Sequence, residues 1–480
     1  MSAIITSKFR LENASAFIKS VTDESVYLMV GKSDAWSDDK VTTTDSAAPT
    51  PLDAQVEQND VWQNAIALKK LGSTDVINVA PRHTWTFSTV YPSWDDALED
   101  NGNFYVINGS YDVFKCLKTP INAGSPVAST IEPTTTNSYQ PFKTTDGYIW
   151  KYMFSVFTTE SSKFLTNTYI PVKTVVIPQG GSLGDLTDDE QVKYQYQSDC
   201  AQYTTGKIYR YVVESGGSGY ASAPTVNVFG NGTGAHATAV VSGGQVTEVY
   251  VTGEPTMTSN FTAYNNNCGT GYSSVYVTLN NTGTGGSGAV VRAVLSPKNG
   301  HGSDPVKELG AFYVASRIVL SGAEGSGDFI VGNAFRQIAM VKNPYDYDTT
   351  DISTATTMSA LKSLTVAAGH TAFLPGDYIT GGTSGAVAFV DLYTLQNDST
   401  GLIKYHQNDK TGYAAFNDTA NPTNGETISG AVQGSGSIAA ASIADPEVQP
   451  FSGDVMFIES RAPINRSTSQ IEDLRIIVEF

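Results

Sequence analysis

The chain has 480 residues, a net charge of −18 and only 16% charged side chains. That length exceeds one compact core, so about two to four domains are expected. The acidic balance and the absence of a basic block argue against a nucleic-acid surface or an anionic-membrane surface.

Gly is abundant (44 residues), Thr and Ser are frequent, and Tyr (25) leads the aromatics. Such a mixture suits short strands joined by tight turns, so the expected fold class is mainly β and multidomain. The opening MSAIITSKFR has no apolar signal core, and no run of about 18 apolar residues follows, so neither secretion nor membrane spanning is expected. Cys116, Cys200 and Cys268 are far apart and form no CxxC, which fits three inert thiols in a chain that matures in a reducing cytoplasm.

In chain order, Asn13 is predicted to cap a helix with Ala14, Phe17, Ile18 and Val21 on one face. A strand follows at Val26 to Val30 and ends at Gly31. Asn59 or Asp60 is read as the cap of a second helix carrying Trp62, Ile66 and Lys69 on one face, closed by Lys69, Lys70 and Gly72. No further helix is expected in the first 205 residues, and the aromatic run Gly147 to Phe157 (GYIWKYMFSVF) reads as a central strand.

Between about 206 and 302 a pattern appears twice, from Gly217 to Val241 and from Gly269 to Leu295. Each copy has a Gly-[Ser/Thr]-Gly-Tyr turn, an alternating strand, a Gly-rich loop and an Ala/Val strand, so each copy is expected to cover the other's open face. From 355 to 448, Phe373, Gly376, Asp377, Ile379, Gly381 and Gly385 recur loosely as Phe416, Gly425, Glu426, Ile428, Gly430 and Gly434. The segments between these stretches have a different texture. Strands are expected at Phe312 to Leu320, Phe335 to Val341, Val455 to Glu459 and Leu474 to Phe480, with a turn through Arg461 and Pro463. The order implies a discontinuous β-sandwich-like core (1–205, 303–354, 449–480) with a few short helices, interrupted by two inserted small β modules (206–302 and 355–448).

Motifs for chemistry are weak. Gly230 to Gly234 and Gly283 to Gly288 resemble phosphate-cradling loops, but no Lys-Ser/Thr or helix follows, and β-turn clusters are the better reading. The acidic pairs Asp38-Asp39, Asp95-Asp96 and Asp188-Asp189-Glu190 lack metal-loop spacing. His83, His236, His301, His370 and His406 are dispersed, and no GxSxG elbow occurs. Catalytic residues, cofactor-binding residues, metal ligands and a small-molecule substrate are therefore all expected to be absent.

Eight fragments, in order, carry a resemblance. They are Ile4 to Arg10; Gly31-Lys32-Ser33 leading to Trp36-Ser37; Pro81-Arg82 before Trp85; and Val113 to Leu117. Then come Asp146 to Tyr152; Ile208-Tyr209-Arg210; Phe335 to Ile338 with Asn343-Pro344; and Glu459-Ser460-Arg461-Ala462-Pro463-Ile464 through Phe480. Together they resemble the baseplate wedge subunits, products of tail gene eight, of T-even-type contractile-tailed phages. The two inserts depart from the family pattern, and their texture is similar to β modules of phages that infect marine cyanobacteria.

The resemblance implies a non-enzymatic virion protein of the tail baseplate, assembled in the host bacterial cytoplasm. It implies a homodimer that contacts other baseplate wedge proteins and couples host attachment to sheath contraction. The alternative is a carbohydrate-binding adhesin or fibre-like tail protein that uses the Gly/Tyr-rich inserts. A glycan-degrading tail enzyme ranks last, because only two copies of each unit are present.

Overall fold

The computed structural model describes residues 4–36, 48–97, 103–122, 124–136, 139–254, 262–320, 330–467 and 471–480. The fold is mainly β and multidomain, with several antiparallel sheets and one closed barrel. The chain divides into two compact units. One comprises Met1–Ser15, Ile77–Ala315 and Ile477–Phe480, and the other Ala16–Val76 and Ser316–Ile476.

The second unit is built on a five-stranded sheet in the order Thr357–Ser359, Ala65–Lys70, Val26–Gly31, Ala334–Lys342, Asp454–Asn465. Val26–Gly31 is buried along its whole length because it has a partner on each side and its faces are covered. Its Met29 lies opposite both Leu68 and Ala339, and all three belong to one core with Tyr27, Trp62 and Met358.

The structure departs from expectation at several elements, the first helix among them. The first helix spans Ser7–Asp23 and so begins well before the expected cap at Asn13. Thr6 stands at its start instead, where the Phe9 amide donates to Thr6 Oγ1 at 3.4 Å. The expected helix through Ile66 and Lys69 is instead a helix Gln55–Gln63 followed by the strand Ala65–Lys70. Asn64 makes the break, its Nδ2 donating back to the Asp60 carbonyl (2.8 Å) and Asp60 Oδ1 (2.9 Å). A short apolar run fits either period, and pairing on two sides decides for strand. Finally, no turn interrupts Arg461 to Pro463. The strand runs on from Asp454 to Asn465, with a register shift opposite Phe335 to Gln337. An edge position tolerates Pro463, whose missing N–H costs no ladder bond.

In the same unit, six strands between Lys362 and Ala439 close into a barrel. Leu364, Val366, Ile379, Ala388, Val390, Ile403, Ile428 and Ile438 are fully buried and pack together as its core. The sequence repeat appears here as a reciprocal arrangement. Asp377 of the first copy accepts from the Val432 and Gln433 amides (2.7 and 3.3 Å), between the last two glycines of the second copy. Glu426 of the second accepts from the Thr383 and Ser384 amides (both 2.8 Å), between the last two glycines of the first. Between them the strands Tyr378–Gly381 and Asn424–Gly430 pair antiparallel, with Thr380 opposite Ser429.

The first unit contains a four-stranded sheet ordered Tyr105–Ile107, Asp112–Lys118, Ile149–Ser155, Phe142–Lys143. The aromatic run is a central strand of it, and Tyr148 and Trp150 are fully buried. Helices beyond the expected two occur in the first 205 residues, including the 17-residue Asp188–Thr204. Its face is too polar for an apolar period to reveal it, but Thr187 and Glu190 form a capping box that the sequence does carry.

Residues 206–300 also fold as a duplication. Thr225–Gly230 of one copy pairs antiparallel with Val275–Asn280 of the other. Each copy's turn tyrosine packs on the other's Gly-rich loop. A Cβ at Gly286 would lie 2.3 Å from the Tyr220 ring, and one at Gly232 would lie 2.4 Å from the Tyr272 ring. Glycine is required at both places because nothing larger leaves room for the ring.

Candidate functional site

The acidic residues singled out in the sequence act as anchors. Asp95 Oδ2 accepts from Arg210 (2.8 Å) and Arg292 (2.9 Å), and Asp96 Oδ1 accepts from Arg292 (2.8 Å). Burial would raise the Asp95 carboxyl, but the hydrogen bond from Arg292, the Ala97 amide and Arg210 outweigh it and hold the group at about 2. This network ties the duplicated segment, through Arg210 and Arg292, to the loop at Trp94, whose carbonyl also accepts from Arg210 (2.9 Å). Lys118 adds a second tie, pairing with Glu248 (2.7 Å) and with Glu254.

Asp188, Asp189 and Glu190 form the first turn of their helix, where the helix dipole favours negative charge. Burial would raise the Glu190 carboxyl, but Lys173 and the Thr187 amide hold it at about 2. Asp38 and Asp39 lie outside the described residues.

The histidines do not converge. His236 is exposed, and His83 stands edge-on to Tyr105 with ring centroids 4.9 Å apart. His370 Nε2 meets Tyr393 Oη at 2.8 Å. His301 is fully buried between the Trp94 and Tyr209 rings, and burial together with nearby Lys115 lowers it to about 3, which keeps it neutral. Among the described residues no three His, Cys, Asp or Glu side chains are placed to hold a metal ion.

His406 belongs to a Ser-Asp-His chain that is not a hydrolase triad. Ser33 Oγ donates to Asp391 Oδ1 (2.5 Å) and His406 Nδ1 meets Asp391 Oδ2 (2.7 Å). The carboxylate separates the hydroxyl from the imidazole, so the imidazole cannot take the hydroxyl proton. All three are buried. With Asn408 Nδ2 donating to Asn64 Oδ1 (3.0 Å) and Lys410 paired with Asp34 (3.5 Å), they fix the barrel to the sheet of the same unit. Burial would lower His406, but Asp391 and Asp34 raise it above its ordinary value.

Gly230 to Gly234 is occupied by strand ends and the Tyr272 contact, and Gly283 to Gly288 likewise cradles Tyr220. A cleft of about 140 Å³ in the first unit is lined mainly by Tyr152, Phe154, Phe157, Val192, Tyr196 and Pro305. Pockets for organic ligands run to roughly 300–1,000 Å³, so this one admits little more than small molecules of a few atoms. In the duplicated segment, Phe229 and Tyr276 face each other across the sheet and stack at 5.2 Å, and they are 44% and 60% exposed.

One cluster escaped sequence reasoning. Lys115 and Lys151 are directly opposite each other on adjacent strands, and both are fully buried. Lys115 pairs with Glu308 at 2.9 Å and lies 4.0 Å from the Trp94 ring centre. Burial would raise the Glu308 carboxyl, but Lys115 and His301 hold it ionised at about 2. Lys151 Nζ donates to the Tyr152 carbonyl and meets Tyr196 Oη (both 2.6 Å), and it lies 3.3 Å from Cys200 Sγ. The signal was present in VFKCL and YIWKYMF, where a lysine sits inside a run that burial demands be apolar.

Comparison with known proteins gives two partial matches. Residues 3–123 match the family model described as Phage-Gp8: Bacteriophage T4, Gp8. The baseplate wedge protein gp8 of Enterobacteria phage T4 is 26% identical over 203 residues, which take in 35% of this chain and 60% of that relative's length. The chain is therefore similar, over part of its length, to a baseplate wedge subunit of a T4-like phage, as the eight sequence fragments implied.

Proposed function

We propose that this chain is a structural subunit of a phage tail baseplate wedge, located in the virion tail and assembled in the host cytoplasm. The carrying observation is the match of residues 3–123 to the wedge-protein family, extended by the 26% identity. The subunit works through protein–protein interfaces, as a homodimer bound to other wedge proteins, in assembly and in the coupling of host attachment to sheath contraction. It has no catalytic task. Residues 206–302 and 355–448 are modules inserted into a wedge core, and a phage of cyanobacteria is the suggested source.

Two structural features support this reading. Family-like fragments far apart in the chain meet in the second unit: Trp36 Nε1 donates to the Arg461 carbonyl (3.0 Å) and Arg336 to the Ser33 carbonyl (2.5 Å). Partly buried ion pairs and buried hydrogen bonds also fix both inserts to their own units, as suits a part that transmits force. The test is native mass spectrometry of the full chain, alone and mixed with the other wedge proteins of the same phage. A dimer that binds at least one of them is expected. A strict monomer that binds none of them overturns the proposal, because stable interfaces bury well over about 1,000 Å².

A second reading has one observation in its favour, the exposed Phe229–Tyr276 stack, flanked across the strands by Asn227 opposite Thr278. Aromatic faces beside small polar groups suit sugars. Silence of the full chain on a glycan array would sink it.

A further inference from the structure

Among the described residues no carboxylate lies within ion-pair distance of Lys151, because its neighbour Lys115 takes Glu308. Burying an ammonium without a counter-ion is strongly unfavourable, so the neutral amine is favoured. Burial pulls Lys151 down from the ordinary lysine range and pushes the Cys200 thiol up. The result is an amine nitrogen 3.3 Å from a thiol sulfur, with both groups fully buried.

The fold enforces this approach. Lys151 comes from the central strand Ile149–Ser155 and Cys200 from the helix Asp188–Thr204. Gly302 closes the other side: a Cβ there would lie 3.0 Å from Sγ and 3.2 Å from Nζ. Tyr196, which meets Lys151 Nζ at 2.6 Å, also lines the small cleft described above. Neither Lys151 nor Cys200 lines that cleft, so dioxygen or hydrogen peroxide must pass Tyr196 to reach the pair.

We propose that Lys151 and Cys200 form an oxidative cross-linking site, in which the side chains become joined through one oxygen atom as a nitrogen–oxygen–sulfur bridge. The reaction is Cys–SH + Lys–NH₂ + O₂ → Cys–S–O–NH–Lys + H₂O. The S–H bond, one N–H bond and the O–O bond break, and an S–O and an O–N bond form. Sulfur and nitrogen each give up two electrons, dioxygen takes all four, and the two displaced protons leave as water with the second oxygen atom. Two equivalents of hydrogen peroxide supply the same oxidation. The bridge pins the helix to the central strand under oxidising conditions, and thiols reverse it, as they do other sulfenyl-level products.

The test is mass spectrometry of the full chain, purified with dithiothreitol and then exposed to air or dilute peroxide. The oxidised chain should be about 14 Da heavier, carry a linked peptide pair containing residues 151 and 200, and return to its starting mass with dithiothreitol. Lys151→Met and Cys200→Ala should lose that species, and Cys116→Ala should keep it. Mapping of the unsubstituted chain is decisive even if a variant fails to fold. An unchanged mass, or oxygen added at Cys200 without a linked peptide, overturns the proposal.

Discussion

Replacing each buried lysine by methionine should give opposite results. In Lys115→Met the Glu308 carboxylate loses the ammonium at 2.9 Å and keeps the Gly302 amide (2.6 Å), the long Asp304 amide (3.4 Å) and His301 at 3.6 Å. Breaking a buried pair from one side costs about 3–5 kcal/mol. With a urea slope of about 3 kcal/mol/M, the unfolding midpoint of the first unit should fall by about 1–1.7 M. In Lys151→Met no carboxylate is stranded, and Tyr196 Oη still donates to the Tyr152 carbonyl at 2.8 Å. That loss should stay within about 1 kcal/mol. Urea titration under reducing conditions, followed by the fluorescence of Trp85, Trp94 and Trp150, reads both variants. The double variant Lys115→Met/Glu308→Gln should recover most of the loss, because removing both partners is often nearly neutral. Equal costs for the two single variants would refute the assignment of the charge to Lys115 alone.

Other outcomes follow from the anchors. Glu426→Ala removes the acceptor for the Thr383, Ser384 and Asn417 amides and should cost about 2–4 kcal/mol, seen as hydrogen exchange at least tenfold faster in residues 381–386. Gly232→Ala drives a methyl into the Tyr272 ring and should destabilise the duplicated segment by about 1–3 kcal/mol, read as faster proteolysis within residues 206–300. Asp95 is depressed to about 2, so its contribution is complete above its unfolded pKa near 3.8 and is lost as pH falls towards 2; Asp95→Asn should remove that part of the acid sensitivity in a pH melt. His406 is raised, so its contribution is complete below 6.5 and fades as pH climbs through the folded value. Exchange in Gly401–His406, corrected for intrinsic rates, should therefore quicken on the alkaline side.

Much of the β architecture was legible because its signals are local. Alternation marked Val275–Asn280 and Glu472–Glu479, and the two repeats announced themselves through Gly-Tyr and Gly-acid-x-Ile-x-Gly. Ala65–Lys70 misled because six apolar-rich residues satisfy both periods until partners on each side are known. Helix Asp188–Thr204 lacked an apolar stripe, so only its cap betrayed it. The reciprocity of Asp377 and Glu426 could not be read from one strand, since each carboxylate serves a loop about 40 to 55 residues away. The buried lysines were legible only through their apolar flanks.

The central position of Val26–Gly31 has a consequence for how the chain is made. Its partner Ala334–Lys342 is synthesised some three hundred residues later. At about 5–20 residues per second the ribosome needs roughly 15–60 s to supply it. Over that interval an apolar strand has only Ala65–Lys70 beside it and presents an open edge to other nascent chains. The barrel at Lys362–Ala439, whose partners are all close in sequence, can fold as soon as it emerges. The last strand of the sheet, Asp454–Asn465, emerges only after the barrel, so the barrel can mature before the sheet that carries it is complete.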